Sequence, residues 1–103
     1  MEAVFAAVAD PTRRELLERL RAAGPLSVTG LADGLPISRQ AVTKHLDALG
    51  AAGLIRVRRL GRERLHELDA GPLREVDDWL RPYAEAWDDR LTALRRHLGE
   101  EID

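Results

Sequence analysis

The side chains best suited to directional hydrogen bonding are clustered between residues 38 and 44. Arg39 and Gln40 each present two parallel polar groups, which match the edges of guanine and adenine respectively in a duplex groove. Thr43 can contact a base, a thymine methyl group or a phosphate. Ser38 and Lys44 are better suited to phosphate oxygens. This combination of residue types favours the binding of a nucleic acid.

Positive charge is concentrated around the same cluster, although the chain as a whole has a formal net charge of −2. Residues 36–66 contain seven basic and two acidic residues, a formal charge of +5. The remaining residues contain nine basic and 16 acidic ones, a formal charge of −7. A basic face on an acidic body is what a duplex-binding module needs. A charged face that is merely solvated can have the same composition. The secondary structure of the segment is therefore needed to distinguish a nucleic-acid-binding face from a solvated one.

The polar cluster lies at the start of a predicted helix that runs from Ser38, its N-cap, to about Ala52. Val42, Leu46 and Leu49 form its apolar stripe. Its polar stripe is spaced i, i+3, i+4 and i+7 and consists of Gln40, Thr43, Lys44 and Asp47. His45 lies between the stripes. A hydrogen-bonded packing role or a phosphate contact is favoured for this histidine over a catalytic or sensory role, and we keep it among the candidate DNA-binding residues.

Three shorter helices are predicted before this one. Residues 2–9 form the first, and Asp10 and Pro11 mark the start of the second, which ends at Gly24. Ser27 opens a short third helix, and a turn at residues 34–38 joins it to the fourth. Two short helices joined by a tight turn, with the second polar on its outer face, are typical of a helix-turn-helix.

A basic β-hairpin is predicted over residues 54–68, with its turn at Gly61 and Arg62. Its candidate DNA-binding residues are Arg58, Arg62 and Arg64, and His66 is interpreted as a packing residue or a backbone contact. A helix-turn-helix followed by such a hairpin predicts a winged helix-turn-helix fold, mainly α with a small β-hairpin. We expect residues 1–103 to form a single DNA-binding domain.

The last predicted helix, residues 72–98, carries an apolar stripe about 26 residues long. Pro82 interrupts this stripe and predicts either a kink or a new helix start. A small monomer cannot cover such a stripe, so a two-fold partner is expected to do so. A position in the core or in a dimer interface is also favoured over a ligand cage for the two tryptophans. The candidate interface residues are Val4, Phe5, Trp79, Tyr83, Trp87, Leu91 and Leu94.

Several functional classes are disfavoured. The chain has no cysteine, no Gly-rich phosphate loop and no nucleophile with a matched base, so we predict neither an enzyme nor a bound cofactor. No apolar run is long enough to span a membrane, and the N-terminus does not resemble a signal peptide, so a cytoplasmic location is expected. The sequence identifies no effector.

Three stretches resemble the ArsR family of bacterial winged-helix repressors: "VFAAVADPTRRELLERL", "GPLSVTGLADGLPISRQAVTKHLDALGAAGLIRVRRLGRERLHEL" and "PLREVDDWL". The resemblance implies a homodimer built from the first and last helices, which places residues 38–52 in the major groove of an operator. It also implies that residues 54–68 form the wing, and that position 66 usually holds an aromatic ring.

The chain departs from the metal-sensing members of that family. Where they carry a Cys-Val-Cys motif, this sequence reads Ser27-Val28-Thr29, which has no soft ligand. The C-terminal group of His97, Glu100, Glu101 and Asp103 is interpreted as a solvated tail. We therefore predict no metal site and a resemblance to the branch without the cysteine site.

The expected partners are a palindromic duplex operator and a second copy of the chain. The alternative is a winged-helix module that docks a protein and does not bind DNA specifically. Steep salt dependence of duplex binding would distinguish the two.

Overall fold

The chain forms five helices and one antiparallel hairpin in a computed structural model, which describes residues 1–102 and the side chains of residues 1–99. The elements follow in the order α1 (Glu2–Val8), α2 (Pro11–Ala23), α3 (Val28–Ala32), α4 (Arg39–Ala51), β1 (Ile55–Leu60), β2 (Glu63–Leu68) and α5 (Gly71–Ile102). The predicted fold class, mainly helical with a small β-hairpin, is therefore confirmed.

The residues divide into two compact units, residues 1–73 and the residues from Arg74 onward. The first unit contains the hydrophobic core, to which four helices and the hairpin contribute. The second unit consists of the greater part of α5. The most deeply buried core side chains are Leu16, Leu31, Val42, Leu49 and Leu54.

The junction between α1 and α2 is held by hydrogen bonds in both directions. The Asp10 carboxylate accepts hydrogen bonds from the backbone N–H groups of Thr12 and Arg13 at 3.0 and 3.1 Å, which confirms the predicted cap of α2. The Arg14 guanidinium donates to the carbonyl oxygens of Val8 and Ala9 at 2.8 and 3.1 Å. These carbonyls end α1 and would otherwise lack partners.

The helix-turn-helix consists of α3 and α4, and serine caps both helices. Ser27 Oγ accepts a hydrogen bond from Gly30 N at 3.2 Å, and Ser38 Oγ accepts one from Ala41 N at 3.1 Å. Both serines have extended backbone, as N-cap residues do. The first turn of α4 is therefore ordered by its own cap, which fixes the direction of the side chains that follow.

The hairpin has a two-residue turn, Gly61-Arg62, and pairs Leu60 with Glu63 on either side of it. Gly61 has a φ of +62°, whereas Arg62 has a negative φ, the pattern of a type II′ turn with Gly at its first central position. The first strand begins at Ile55 and the second at Glu63, each one residue away from the predicted bounds. Leu26 adds a short bridge to β2 by exchanging backbone hydrogen bonds with His66 at 2.8 and 3.0 Å.

Pro82 lies inside α5, which continues through it as one helix. Of the two predicted alternatives, a new helix start at this proline is therefore wrong. Proline lacks an N–H group, so the helix loses the hydrogen bond that residue 82 would make to the carbonyl of residue 78. The long run of helix-forming residues on both sides is sufficient to carry the helix across this gap.

Candidate nucleic-acid interface

Helix α4 is anchored to the first unit by one face only. Val42, Leu46 and Leu49 are buried, as their spacing predicts. Replacing Leu46 or Leu49 with alanine would lower the free energy of unfolding by about 2–5 kcal/mol. The apolar stripe therefore holds the helix firmly in place. The opposite face is consequently presented on a fixed support.

The exposed face of α4 carries Arg39, Gln40, Thr43 and Lys44. Within the described side chains, no hydrogen bond or ion pair engages the polar groups of Arg39, Gln40 or Lys44. Thr43 differs, because its hydroxyl donates to the Arg39 carbonyl oxygen at 3.0 Å. Its one hydrogen is thus used within the helix, and its methyl group and the oxygen lone pairs are left for a ligand. Ser38 is in the opposite situation, since its oxygen accepts the cap bond and its hydroxyl hydrogen is still available.

His45 faces α2, away from the open face of α4. Its Nδ1 accepts a hydrogen bond from Arg13 Nε at 3.2 Å and lies 4.0 Å from Asp10 Oδ2. Arg13 also reaches the carbonyl oxygen of Ala6 at 3.4 Å. The structure therefore supports the packing interpretation of this histidine, and only its Nε2 is left for a phosphate.

The arginines of the wing are divided between the two faces of the hairpin. Arg56 and Arg58 lie on the outer face, where Glu67 is 3.5 and 3.7 Å from them and Asp69 is 3.8 Å from Arg56. Arg64 lies on the inner face, and Arg62 is in the turn. Of the three predicted wing contacts, Arg58 is thus ion-paired within the hairpin, whereas Arg62 and Arg64 are exposed.

Arg59 was not among the predicted site residues, but the register places it directly opposite Arg64. Both side chains are exposed and lie on the same face, because cross-strand partners share a face. Counting outward from the Gly61-Arg62 turn would have identified this pair in the sequence. The strand period of two then separates Arg59 from its neighbour Arg58.

His66 is buried at the base of the inner face, with 5% of its surface exposed. Neither ring nitrogen has a hydrogen-bond partner among the described residues. Burial lowers the pKa of His66 from 6.5; the charge of Arg64 lowers it further, and that of Asp47 partly opposes the shift. The neutral ring is therefore the form that the fold accommodates.

This environment predicts a loss of stability in acid. The unfolded chain takes up the proton near pH 6.5, whereas the folded chain resists it. The contribution of neutral His66 is thus fully present above that pH and is lost as the pH falls below it. We expect His66→Phe to raise the free energy of unfolding by about 1 kcal/mol at pH 7.5, because it removes an unsatisfied polar group.

Urea denaturation of both proteins at pH 7.5 and pH 5.5 checks this expectation. The difference between the variant and the unmodified protein should widen at the lower pH. The two proteins share His45 and His97, so any contribution of those residues cancels in the difference. An unchanged difference at pH 5.5 would show that His66 is protonated in the folded chain without penalty.

The predicted dimer-interface residues occupy two different environments. Val4 is only 4% exposed and packs in the core of its own unit, so it has little surface to offer a partner. Phe5 is half-buried. On α5, Trp79, Tyr83, Trp87 and Leu94 are exposed, and Leu91 is half-buried. The rings of Trp79 and Tyr83 lie 5.1 Å apart between their centres.

The residues considered for metals and membranes add little to this site. Ser27 Oγ is used as the cap of α3. No group of three metal-ligand side chains occurs among the described residues; the side chains of Glu100 and Glu101, and all of Asp103, lie outside them. None of the helices in the described part combines the length and apolar character needed to cross a membrane.

The chain is similar in sequence to a helix-turn-helix family and to known regulators of transcription. Residues 8–58 match a family model described as a helix-turn-helix domain. The chain is 47% identical over 97 residues to the HTH-type transcriptional regulator Rv2034 of Mycobacterium tuberculosis, covering 94% of this chain and 87% of that protein. It is 30% identical over 91 residues to the transcriptional repressor SdpR of Bacillus subtilis, covering 88% of this chain and all of that protein.

A solved structure extends the similarity to three dimensions. The ArsR-like transcriptional regulator from Rhodococcus sp. RHA1 superposes with a TM-score of 0.71 and 40% sequence identity. The match covers 92% of this chain and 89% of that one. The similarity therefore includes the helix-turn-helix, the hairpin and much of the last helix.

Proposed function

Because the chain belongs to the ArsR family of winged helix-turn-helix transcriptional regulators, we propose that it is a homodimeric repressor with a palindromic operator. It binds DNA as a regulator, and its family is not one of enzymes, as predicted. The observation that carries the proposal is the exposed face of α4, whose long polar side chains have no partners within the described residues. In this proposal the repressor acts in the cytoplasm.

Base readout is assigned to the first turns of α4. Arg39 and Gln40 can each make bidentate contacts, to guanine and adenine respectively. Thr43 is assigned to a thymine methyl group or to a base donor, because its hydroxyl hydrogen already bonds to Arg39 O. This pairing of a buried stripe with an unengaged polar stripe supports insertion of α4 into the major groove.

Backbone contacts are assigned to Ser38 and Lys44 at the ends of the α4 cluster and to Arg62 and Arg64 on the wing. The Ser38 hydroxyl can donate to a phosphate, since its cap bond uses only the oxygen. The orphan N–H groups at the start of α4 favour the same anion. These contacts set the orientation of the helix in the groove and carry little sequence information.

We propose a homodimer because the apolar stripe of α5 is exposed to solvent in a single chain. Tyr83 is 63% and Trp87 59% exposed, and Leu80, Leu94 and Leu98 are exposed as well. A two-fold partner presents the same stripe and buries both at once. Two α4 helices would then enter successive major grooves, roughly 34 Å apart, on an imperfect palindrome.

The protein-docking alternative is less well supported. A helix that docks a protein is expected to present an apolar or mixed-charge face, whereas the open face of α4 begins with long polar and cationic side chains. The relatives are also regulators of transcription.

Selection of random duplexes by the purified full chain tests the proposed function. We expect an enriched palindrome with half-sites about one helical turn apart, and binding that weakens steeply with salt. Weak binding that is insensitive to salt and enriches no sequence would overturn the proposal and favour a protein partner.

Arg62→Ala is expected to weaken binding to all duplexes alike. Arg62 is in the turn of the wing, where it is exposed and can reach a phosphate. Loss of one phosphate contact should flatten the slope of log affinity against log salt by about one per wing. Titrations of the selected operator and of a scrambled duplex at several salt concentrations measure this. A loss confined to the operator would mean that Arg62 reads bases.

A further inference from the structure

The tip of the wing brings two positive charges together without a compensating negative charge. Arg59 and Arg64 are direct cross-strand partners on the inner face, and both are exposed. Within the described residues, neither has a carboxylate within ion-pair distance, although every other strand arginine does. Like charges directly opposite each other destabilise a hairpin.

The carboxylates of the hairpin are arranged on the other face. Glu67 pairs with both Arg56 and Arg58, and the register places Glu63 opposite Leu60 on that same outer face. The outer face is thus internally neutralised, whereas the inner tip is not. Arg58 and Arg59 are neighbours in the chain, yet one is bound to a carboxylate and the other is not.

The inner face is also the one that packs against α4. Ile55 and His66 are buried at its base. Ile55 lies next to α4 at Gly50, where an added Cβ would come within 3.9 Å of Ile55 Cγ1. The two arginines extend along this face towards the tip of the wing. The inner face of the wing is therefore the one that is continuous with the packing against α4.

We propose that Arg59 and Arg64 form a two-guanidinium clamp on one phosphate of the DNA backbone, and that Arg58 stabilises the hairpin without touching DNA. This inference rests on the proposed DNA-binding function. Guanidinium groups bind phosphate oxygens in a bidentate manner, and an anion between them relieves their mutual repulsion. The arrangement that is unfavourable in the free wing is thus favourable in the complex.

Two neighbouring substitutions in the full chain test the clamp. Arg59→Ala and Arg58→Ala remove the same charge from adjacent positions on opposite faces, so general electrostatics affects both alike. On the selected operator at 0.15 M salt, we expect roughly tenfold weaker binding for Arg59→Ala, the size of a lost charge-assisted hydrogen bond. Its salt slope should flatten by about one per wing. Arg58→Ala should weaken binding by less than about threefold, as expected for a charge that makes no direct contact.

Thermal stability should change in the opposite direction to operator affinity. Arg59→Glu places a carboxylate opposite Arg64, so the variant should melt at a higher temperature than the unmodified protein while binding the operator much more weakly. Arg58→Ala should melt at a lower temperature, because Glu67 loses a partner. A variant that is more stable yet binds less cannot be explained by misfolding.

Three outcomes would overturn the clamp. Equal losses for Arg58→Ala and Arg59→Ala would show that only the net charge of the wing matters. A loss for Arg59→Ala that depends on the flanking sequence would assign Arg59 to a groove edge and not to a phosphate. If the unmodified protein selects no duplex, the proposed function itself fails, and that result is recognised before any variant is compared.

Discussion

A Trp87→Glu variant is expected to sediment as a monomer at concentrations where the unmodified protein sediments as a dimer. Trp87 is 59% exposed in the middle of the apolar stripe of α5. A large aromatic side chain at such a position is the type of residue that dominates interface energetics, and its loss typically weakens association by about 2 kcal/mol or more, roughly thirtyfold. The introduced carboxylate adds to this, since a partner stripe would bury it without a counter-charge.

Thr92→Glu is the matched control for this experiment. Thr92 is also exposed on α5 and acquires the same charge, but helical geometry places it about 140° around the axis from Trp87. It should leave the dimer intact. Sedimentation velocity over a range of concentrations distinguishes the two variants. If Trp87→Glu sediments like the unmodified protein, the stripe is not the interface.

Loss of the dimer should have a second effect, on operator binding. A monomer can occupy only one half-site, so it forfeits the gain from linking two binding events. We expect Trp87→Glu to bind an isolated half-site about as well as the unmodified protein does, and the full palindrome far less well.

A Gln40→Ala variant is expected to lose base preference at one position in each half-site. The Gln40 side chain is exposed in the first turn of α4, and no described side chain bonds to its amide. A bidentate contact from such an amide to adenine discriminates by about 1–3 kcal/mol against another base. Repeating the duplex selection with the variant should return the same palindrome with that one position randomised.

Lys44→Ala serves as the control for Gln40→Ala. Lys44 is assigned to a phosphate, so its removal should weaken all duplexes alike and leave the enriched sequence unchanged. An unchanged motif for Gln40→Ala would remove Gln40 from the residues that read bases, while leaving the repressor proposal in place.

The features that could be predicted from the sequence are those governed by local interactions. The start of α4 follows from Ser38 as a cap, and its orientation follows from a run of apolar residues at helical spacing. The turn of the hairpin follows from Gly61, which adopts a positive φ readily. Both signals are contained within a few residues, so neither needs knowledge of the tertiary structure.

The features that could not be predicted depend on side-chain packing. Arg58 and Arg59 are chemically identical neighbours. The turn fixes which strand residues are opposite each other, but only the folded side chains show that Glu67, which is directly opposite Arg56, also reaches Arg58. Val4 and Phe5 are both apolar, yet Val4 is the more deeply buried. His66 is a polar residue type, but its ring is buried on β2 beside the bridge to Leu26, and its nitrogens have no hydrogen-bond partner among the described residues.

The division of the wing arginines between two faces constrains how this hairpin can change in length. A strand alternates its side chains with a period of two, so one residue inserted between Arg56 and Leu60 would turn every residue on one side of it to the opposite face. Such an insertion would exchange the neutralised and uncompensated arginines without altering a single charge. A deletion of one residue would do the same. Length changes that preserve operator binding are therefore expected to come in pairs of residues, or to fall outside the strands altogether.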